Sequence, residues 1–424
     1  MNPFDYKDGV FHVENTSLKK IADAIRTPFY CYSSVKIASQ YTEFCKIFDD
    51  IPSLVCYAIK ANSNQAVLRI LARLGAGADI VSEGELRRAR AAFIPAEKII
   101  FSGVGKTIRE LDLALVEDIL CFNVESEPEL ELLSSRAVTY GRKARISFRI
   151  NPDIDAGTHS KTATGRADDK FGIFWRDAPR VYKKAAQLPG IEVTGIAMHI
   201  GSQIIKSQPF DDAFSRLSKL ITILRADGHT IKQIDLGGGV GIPYERDNYN
   251  QLNLKAYATL VRKYVKNLDA RIIFEPGRII VGNAGILVTE VLYLKKSRNR
   301  IFTIIDAAMN DLIRPTLYES WHEIEPVVLA AAHAPYITTD IVGPVCESGD
   351  YFAKERQITR PKSGDLLAIR SAGAYGAVQS GTYNSRLLIP EVLVKENHFD
   401  VIRSRTSFDD FISLDHIPEW LSDE

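Results

Sequence analysis

The sequence predicts an α/β protein, a (β/α)8 barrel joined to a mostly antiparallel C-terminal β-domain. Between about residues 50 and 285, short apolar and often β-branched runs alternate with longer amphipathic stretches, the pattern of βα units on a parallel sheet. After about residue 285 the texture changes to short runs rich in Val, Ile, Leu and Tyr, separated by polar and Gly-containing segments. A chain of 424 residues accommodates one large domain and a smaller one. The expected division is 36–283 for the barrel, with 1–35 and 284–424 for the β-domain.

Eight candidate strands fall in the alternating region: Leu54–Ile59, Ala78–Val81, Ile99–Ser102, Ile119–Val124, Arg145–Ile150, Val193–His199, Gln233–Leu236 and Arg271–Phe274. Eight is the number that a closed (β/α)8 barrel requires. Segments between them read as helices, with Asn64–Leu74 placing Val67, Leu68, Ile70, Leu71 and Leu74 on one side, and Glu83–Ala92 and Glu125–Ser135 patterned alike. A doubly wound open sheet competes, because periodicity does not see closure. The barrel is favoured by where the unusual residues fall. Lys60, Glu83, Gly103, Glu125, Asn151, His199, Gly237 and Glu275 lie at or just past strand C-termini, the face on which barrels build their sites.

The β-domain strands are expected at Ile286–Leu294, Ile301–Ile305, Tyr336–Val342, Asp365–Ile369 and Glu391–Val394. The opening runs Gly9–Val13 and Thr27–Tyr32 precede the barrel pattern and are expected to lend strands to the same domain.

Composition narrows the function. Lys plus Arg equals Asp plus Glu at 53 each, without the basic excess that nucleic-acid binding needs, so a small-molecule partner is expected. The first residues show no basic-then-apolar leader and no run is long enough to cross a bilayer, which reads as a cytoplasmic protein with no membrane partner. Five cysteines without metal-binding spacing suit a reducing compartment and predict no metal site.

Four motifs carry chemistry. Gly237-Gly238-Gly239 follows an apparent strand, and three glycines let backbone amides encircle a phosphate; a tight strand-to-helix turn is the plain alternative. Glu275-Pro276-Gly277-Arg278 puts a carboxylate at a strand end, where it can keep a pyridinium nitrogen protonated, and an arginine fork suited to phosphate or carboxylate. An ion pair at a turn is the competing reading. His199 can stack on a flat ring or serve as a hydrogen-bonded structural histidine. Ser202 can add a hydroxyl to a phosphate shell or simply form a turn. Lys60 ends the first strand, where desolvation can make its amine a nucleophile. A phosphate cradle, a ring-stacking histidine, a strand-end carboxylate and a strand-end lysine on one face specify pyridoxal phosphate.

The resemblance then becomes specific. The runs Tyr57–Asn62, Gly77–Ser82, His199–Gln203, Gly237–Gly239, Glu275–Arg278, Asp306–Asp311, Arg314-Pro315, Cys346–Asp350 and Gly373–Gly376 resemble the barrel-type pyridoxal-phosphate decarboxylases and, within them, the diaminopimelate decarboxylases. The similarity runs from near residue 5 to past residue 395. It implies that Lys60 holds the cofactor as a Schiff base, His199 stacks on its ring and Glu275 contacts the ring nitrogen. Ser202, Gly237, Gly238, Gly239, the Pro276-Gly277-Arg278 backbone and Tyr375 would surround the phosphate, with Asp79 near the cofactor. Arg278, Arg314, Tyr318, Glu347 and Tyr375 would bind substrate, and Cys346 would donate a proton. The family also implies a homodimer in which a partner's Cys346-Glu347 loop completes each site, and a mobile loop from Asn151 through His159 to Ile173. Glu83 receives no role. The implied reaction is decarboxylation of meso-2,6-diaminopimelate to L-lysine. Rivals are a related decarboxylase of another basic or D-amino acid, a barrel racemase, and a non-catalytic pyridoxal-phosphate-binding regulator.

Overall fold

The computed structural model describes residues 3–245 and 252–421, so the first two and last three residues of the expected β-domain lie outside the described residues. The chain divides into two compact units, Ile37–Gly282 and Met1–Lys36 with Asn283–Glu424.

The first unit is a closed barrel. Its strands are β1 Ser53–Ala58, β2 Gly77–Ile80, β3 Ile99–Phe101, β4 Cys121–Val124, β5 Ala144–Asn151, β6 Ile191–Met198, β7 Gln233–Asp235 and β8 Arg271–Phe274. All pair in parallel with their sequence neighbours, and β8 returns to β1 through Ile272↔Ser53, Ile273↔Leu54 and Phe274↔Val55. That closing register removes the open-sheet alternative. All eight expected strands are present, with no end displaced by more than two residues.

Each strand is buried along almost its whole length because helices cover one face while the other fills the barrel. Leu54, Cys56, Ile100 and Ile273 cluster as an apolar plug. Strand alternation then places Ala58, Ser102 and Glu275 two residues further along the same faces. The lumen therefore changes from apolar to polar toward the strand C-termini, and the site is built there.

Helix starts are fixed by side-chain caps. Asn64 accepts from Ala66 N at 3.0 Å and Ser82 from Glu85 N at 3.2 Å, opening helices Gln65–Arg73 and Glu83–Ala91. The third expected helix begins later than the sequence suggests, at Glu127 rather than Glu125. Ser126 takes extended backbone as its cap and accepts from Glu129 N, which leaves Glu125 outside the helix and buried.

The second unit is a mostly antiparallel sheet centred on the long strand Gly285–Lys296. Phe29–Ser33, Leu366–Ile369 and Ile301–Ile305 pair with it antiparallel. Two contacts are parallel, Ile301–Ile305 with Tyr336–Val342 and Phe29–Ser33 with Glu391–Lys395. The segment Phe29–Ser33 lies between Gly285–Lys296 and Glu391–Lys395 in this sheet. The other N-terminal run, Val10–Val13, pairs with Phe4–Lys7 and Thr16–Ser17 in a small separate sheet. Phe11, Val13, Phe29, Ile286, Val288 and Val392 share one core cluster of this unit.

Candidate active site

Lys60 lies just beyond β1 rather than within it. The strand stops at Ala58, and Ile59–Ala61 form a single 3-10 turn that Tyr57 holds from below by donating its hydroxyl to Asn62 O at 3.1 Å. The Lys60 ammonium forms a short ion pair with Oδ2 of Asp79 at the end of β2. Asp79 is completely buried, and its Oδ1 has no hydrogen-bond partner among the described residues.

Beside this pair is a second cluster of carboxyls. Glu275 Oε1 accepts from Ser102 Oγ and Asn123 Nδ2, both at 3.3 Å, and Asn123 Nδ2 also donates to Asp235 Oδ2 at 3.0 Å. Burial pushes the Glu275 carboxyl well above the usual range, and the negative charges of Asp235 and Asp79 push it further. Three carboxyls therefore face one ammonium, an arrangement that accepts a further positive charge such as a protonated ring nitrogen.

The glycine run is shaped for close backbone approach. A Cβ on Gly238 would lie 2.2 Å from Glu275 O, and one on Gly239, whose φ is +93°, would lie 2.5 Å from Gly201 O. Gly238 N donates to His199 Nδ1 at 3.2 Å, which fixes the imidazole as an acceptor at that nitrogen. Burial, with the positive charges of Arg149 and Lys60, holds His199 well below its ordinary pKa, so the ring is neutral. Gly277 starts the four-residue helix Arg278–Val281, and the Arg278 guanidinium donates to Ser202 Oγ at 3.0 Å and to the Tyr244 hydroxyl. Pro276 O accepts from Ala58 N at 3.1 Å, tying this corner to β1.

A buried ionic layer supports the mouth. Glu125 accepts from Gly103 N at 2.7 Å, Gly172 N at 3.1 Å and Arg149 Nη1 at 3.1 Å. Lys106 donates to Gly103 O, Asn123 O and Glu129 Oε1 at 2.7–2.8 Å. The segment after β5 lies over His199, whose carbonyl accepts from Thr164 Oγ1 at 3.1 Å.

Lys60, Asp79, His199, Ser202, Gly237–Gly239 and Glu275–Arg278 are thus brought to one end of the barrel. Ser102, Asn123, Asp235, Arg149 and Tyr244 join them without having been singled out in the sequence. Ser102, Asn123 and Asp235 carry a readable signal, a polar residue at or near the C-terminal end of a barrel strand. Tyr244 carries none. Glu83 is on the surface, paired with Arg87 and Arg109.

The remaining predicted residues belong to the β-unit. Arg314 is buried, with its guanidinium 5.7 Å from the Tyr318 ring centre and donating to Ser320 Oγ at 3.2 Å. Cys346 and Glu347 are exposed on a turn braced by Asp350, which accepts from Met309 N at 2.6 Å and Val345 N at 2.7 Å. Tyr375 sits at φ +55°, in the left-handed region, within Gly373–Gly376. Cys346 is an exposed thiol, whereas burial pushes the Cys31, Cys56 and Cys121 thiols upward.

The barrel end fits pyridoxal phosphate. It offers a lysine, a surplus of buried carboxyl, a neutral imidazole, and a cradle whose space side chains would fill. Comparison with known proteins agrees. Residues 34–282 match the family described as pyridoxal-dependent decarboxylase, pyridoxal binding domain. The diaminopimelate decarboxylases of Zymomonas mobilis and Pseudomonas fluorescens are 46% and 48% identical, over 99% of this chain and 100% of theirs. The Helicobacter pylori diaminopimelate decarboxylase complexed with L-lysine superposes with a TM-score of 0.90 at 40% identity, covering 93% of this chain and 98% of that one. The M. jannaschii enzyme, also solved with L-lysine, gives 0.94 at 34% identity and 99% coverage of both. The chain belongs to the diaminopimelate decarboxylase family of pyridoxal-dependent decarboxylases.

Proposed function

We propose that the chain removes one carboxyl group of meso-2,6-diaminopimelate as carbon dioxide and releases L-lysine, with pyridoxal 5'-phosphate as cofactor. The observation that carries the reading is the Lys60–Asp79 pair set beside the glycine cradle and the buried Glu275 at one barrel end. Relatives solved with L-lysine support the product.

In this reading Lys60 is the amine that holds the cofactor covalently, and Asp79 orients it. The neutral His199 ring offers a flat, uncharged face for stacking. Ser202, the amides of Gly237–Gly239, the Pro276-Gly277-Arg278 backbone and Tyr375 take the phosphate. Glu275 holds the proton of the ring nitrogen. The bound cofactor supplies an electron sink for the bond pair left behind when carbon dioxide departs. Cys346 Sγ gives up its proton to the carbon that has lost its carboxyl group.

Arg278, Arg314, Tyr318, Glu347 and Tyr375 are the substrate contacts. Arg278 and Arg314 pair with carboxylate and Glu347 with the distal ammonium. Ornithine has no second carboxylate, so it would forgo that charge-assisted contact, worth about 1.5–3 kcal/mol.

The active form is a cytoplasmic homodimer, in which the partner subunit's Cys346 and Glu347 complete each site. Their exposure on a braced turn supports this. Among the described residues no helix is long and apolar enough to cross a membrane. The barrel unit serves as the cofactor domain, and the β-unit carries the proton donor and the remaining substrate contacts.

Replacing Lys60 by Ala tests the anchor. The variant is expected to lose the visible absorbance of the bound cofactor together with carbon dioxide release; a wild-type spectrum would refute the assignment.

A further inference from the structure

Asp235 has no part in the mechanism above, yet it touches both halves of the cofactor site. Its Oδ1 accepts from Gly237 N at 2.9 Å, fixing the first amide of the cradle. Its Oδ2 accepts from Asn123 Nδ2 at 3.0 Å, and the same amide nitrogen reaches Glu275 Oε1 at 3.3 Å. The Asp235 and Glu275 carboxyls thus flank one amide nitrogen, and burial together with the negative charge of Asp235 raises the Glu275 carboxyl above its ordinary range. Asp235 is 2% exposed, so water does not screen its charge.

We propose that Asp235 is a positioning residue that couples the two ends of the cofactor site, holding the cradle amide with one oxygen and, with its charge set beside the Asn123 amide that it shares with Glu275, keeping a proton at Glu275. The inference rests on the pyridoxal-phosphate reading. In the cofactor-free protein burial and the neighbouring charges of Asp235 and Asp79 favour the protonated form of Glu275. With pyridoxal phosphate bound, Glu275 would give up its proton and face the protonated ring nitrogen as a carboxylate. Two carboxylates, Glu275 and Asp235, then hold that N–H charged.

The groups facing the pair come from five other elements. Asp79 on β2 adds negative charge, and Lys60 after β1 opposes it. Cys56 on β1, Cys121 on β4 and Tyr257 on helix Leu254–Val265 also face it, and burial pushes all three upward, so they remain uncharged. Asp235 is therefore the charge whose removal changes the field at Glu275 without touching the lysine.

Two variants separate its tasks. Asp235→Asn keeps an oxygen for the Gly237 amide and removes the charge; Asp235→Ala removes both. With ring-15N-labelled pyridoxal phosphate bound, nitrogen NMR follows the proton on the ring while phosphorus NMR follows the cradle. In Asp235→Asn the ring nitrogen is expected to titrate about one pH unit or more below wild type, with an unchanged phosphorus shift. In Asp235→Ala both signals should move. Nitrogen titration like wild type in both variants overturns the proposal. A measurement on the wild type alone guards against misfolded variants. Adding pyridoxal phosphate to stripped protein should bleach one protonated-carboxyl band in the infrared difference spectrum, and no such loss also overturns it. If the wild type takes up no pyridoxal phosphate, the underlying reading falls and this one with it; binding with unshifted titrations sinks only the proposal made here.

Discussion

Gly238→Ala places one methyl group where the structure has no room. The new Cβ would sit 2.2 Å from Glu275 O and 3.1 Å from its carbonyl carbon, whereas ordinary contact begins at 3.4 Å. About 1.2 Å of movement is needed, the difference between 3.4 and 2.2 Å. The obstacle is backbone, held from the other side by the Glu275 N to Gly237 O hydrogen bond of 2.8 Å, so it does not swing away as a side chain would. Overpacking of this kind costs about 1–3 kcal/mol. If the cradle amides take up the strain by leaving the phosphate, that range corresponds to about 5- to 150-fold weaker cofactor binding. Spectroscopic titration of pyridoxal phosphate into stripped protein reads it directly. Gly84→Ala is the control, because its Cβ meets nothing closer than 3.8 Å in the first turn of helix Glu83–Ala91. That change should leave cofactor affinity alone and stabilise by about 0.4–1 kcal/mol, by narrowing the unfolded chain's freedom. Wild-type affinity and stability in Gly238→Ala would refute the cradle argument.

Two further predictions concern stability. The Lys106 side chain is 1% exposed and is the cation of the Glu129 pair, so Lys106→Met strands a buried carboxylate and should cost about 3–5 kcal/mol in urea unfolding; a loss under about 1 kcal/mol would contradict this. Burial raises Asp311 from 3.8 to about 6. The folded state therefore binds the proton more tightly than the unfolded chain, and the ionised form carries a penalty of up to about 3 kcal/mol above roughly pH 6. That penalty fades as pH falls from about 6 toward 4. Asp311→Asn keeps an acceptor for Ala308 N and should be the more stable protein at pH of about 8, with the gap closing on acidification; a gap that does not change with pH would count against it.

Much of this was legible in the sequence because the barrel repeats one simple rule. Apolar runs end where the lumen turns polar, so the residues after each run, Lys60, His199, Gly237 and Glu275, announce themselves. What could not be read was which of them meet. Asp79 lies 19 residues from Lys60, and Asp235 lies 112 from the Asn123 that it shares with Glu275. Barrel closure, not local pattern, brings them together. Glu125 was misjudged for a different reason. Its acidic, helix-compatible surroundings hid the fact that Ser126 caps the helix and frees the carboxylate to hold Gly103, Gly172 and Arg149. The β-domain residues were legible only through family resemblance, since Cys346 and Glu347 sit on a turn with no periodic signal.

Carbon dioxide release from meso-diaminopimelate, measured beside ornithine, arginine and D-lysine at equal concentration, tests the proposed activity most directly. The account predicts that meso-diaminopimelate is decarboxylated far faster than the other three and that L-lysine accumulates in step with the gas. A faster reaction with any of those three would contradict it.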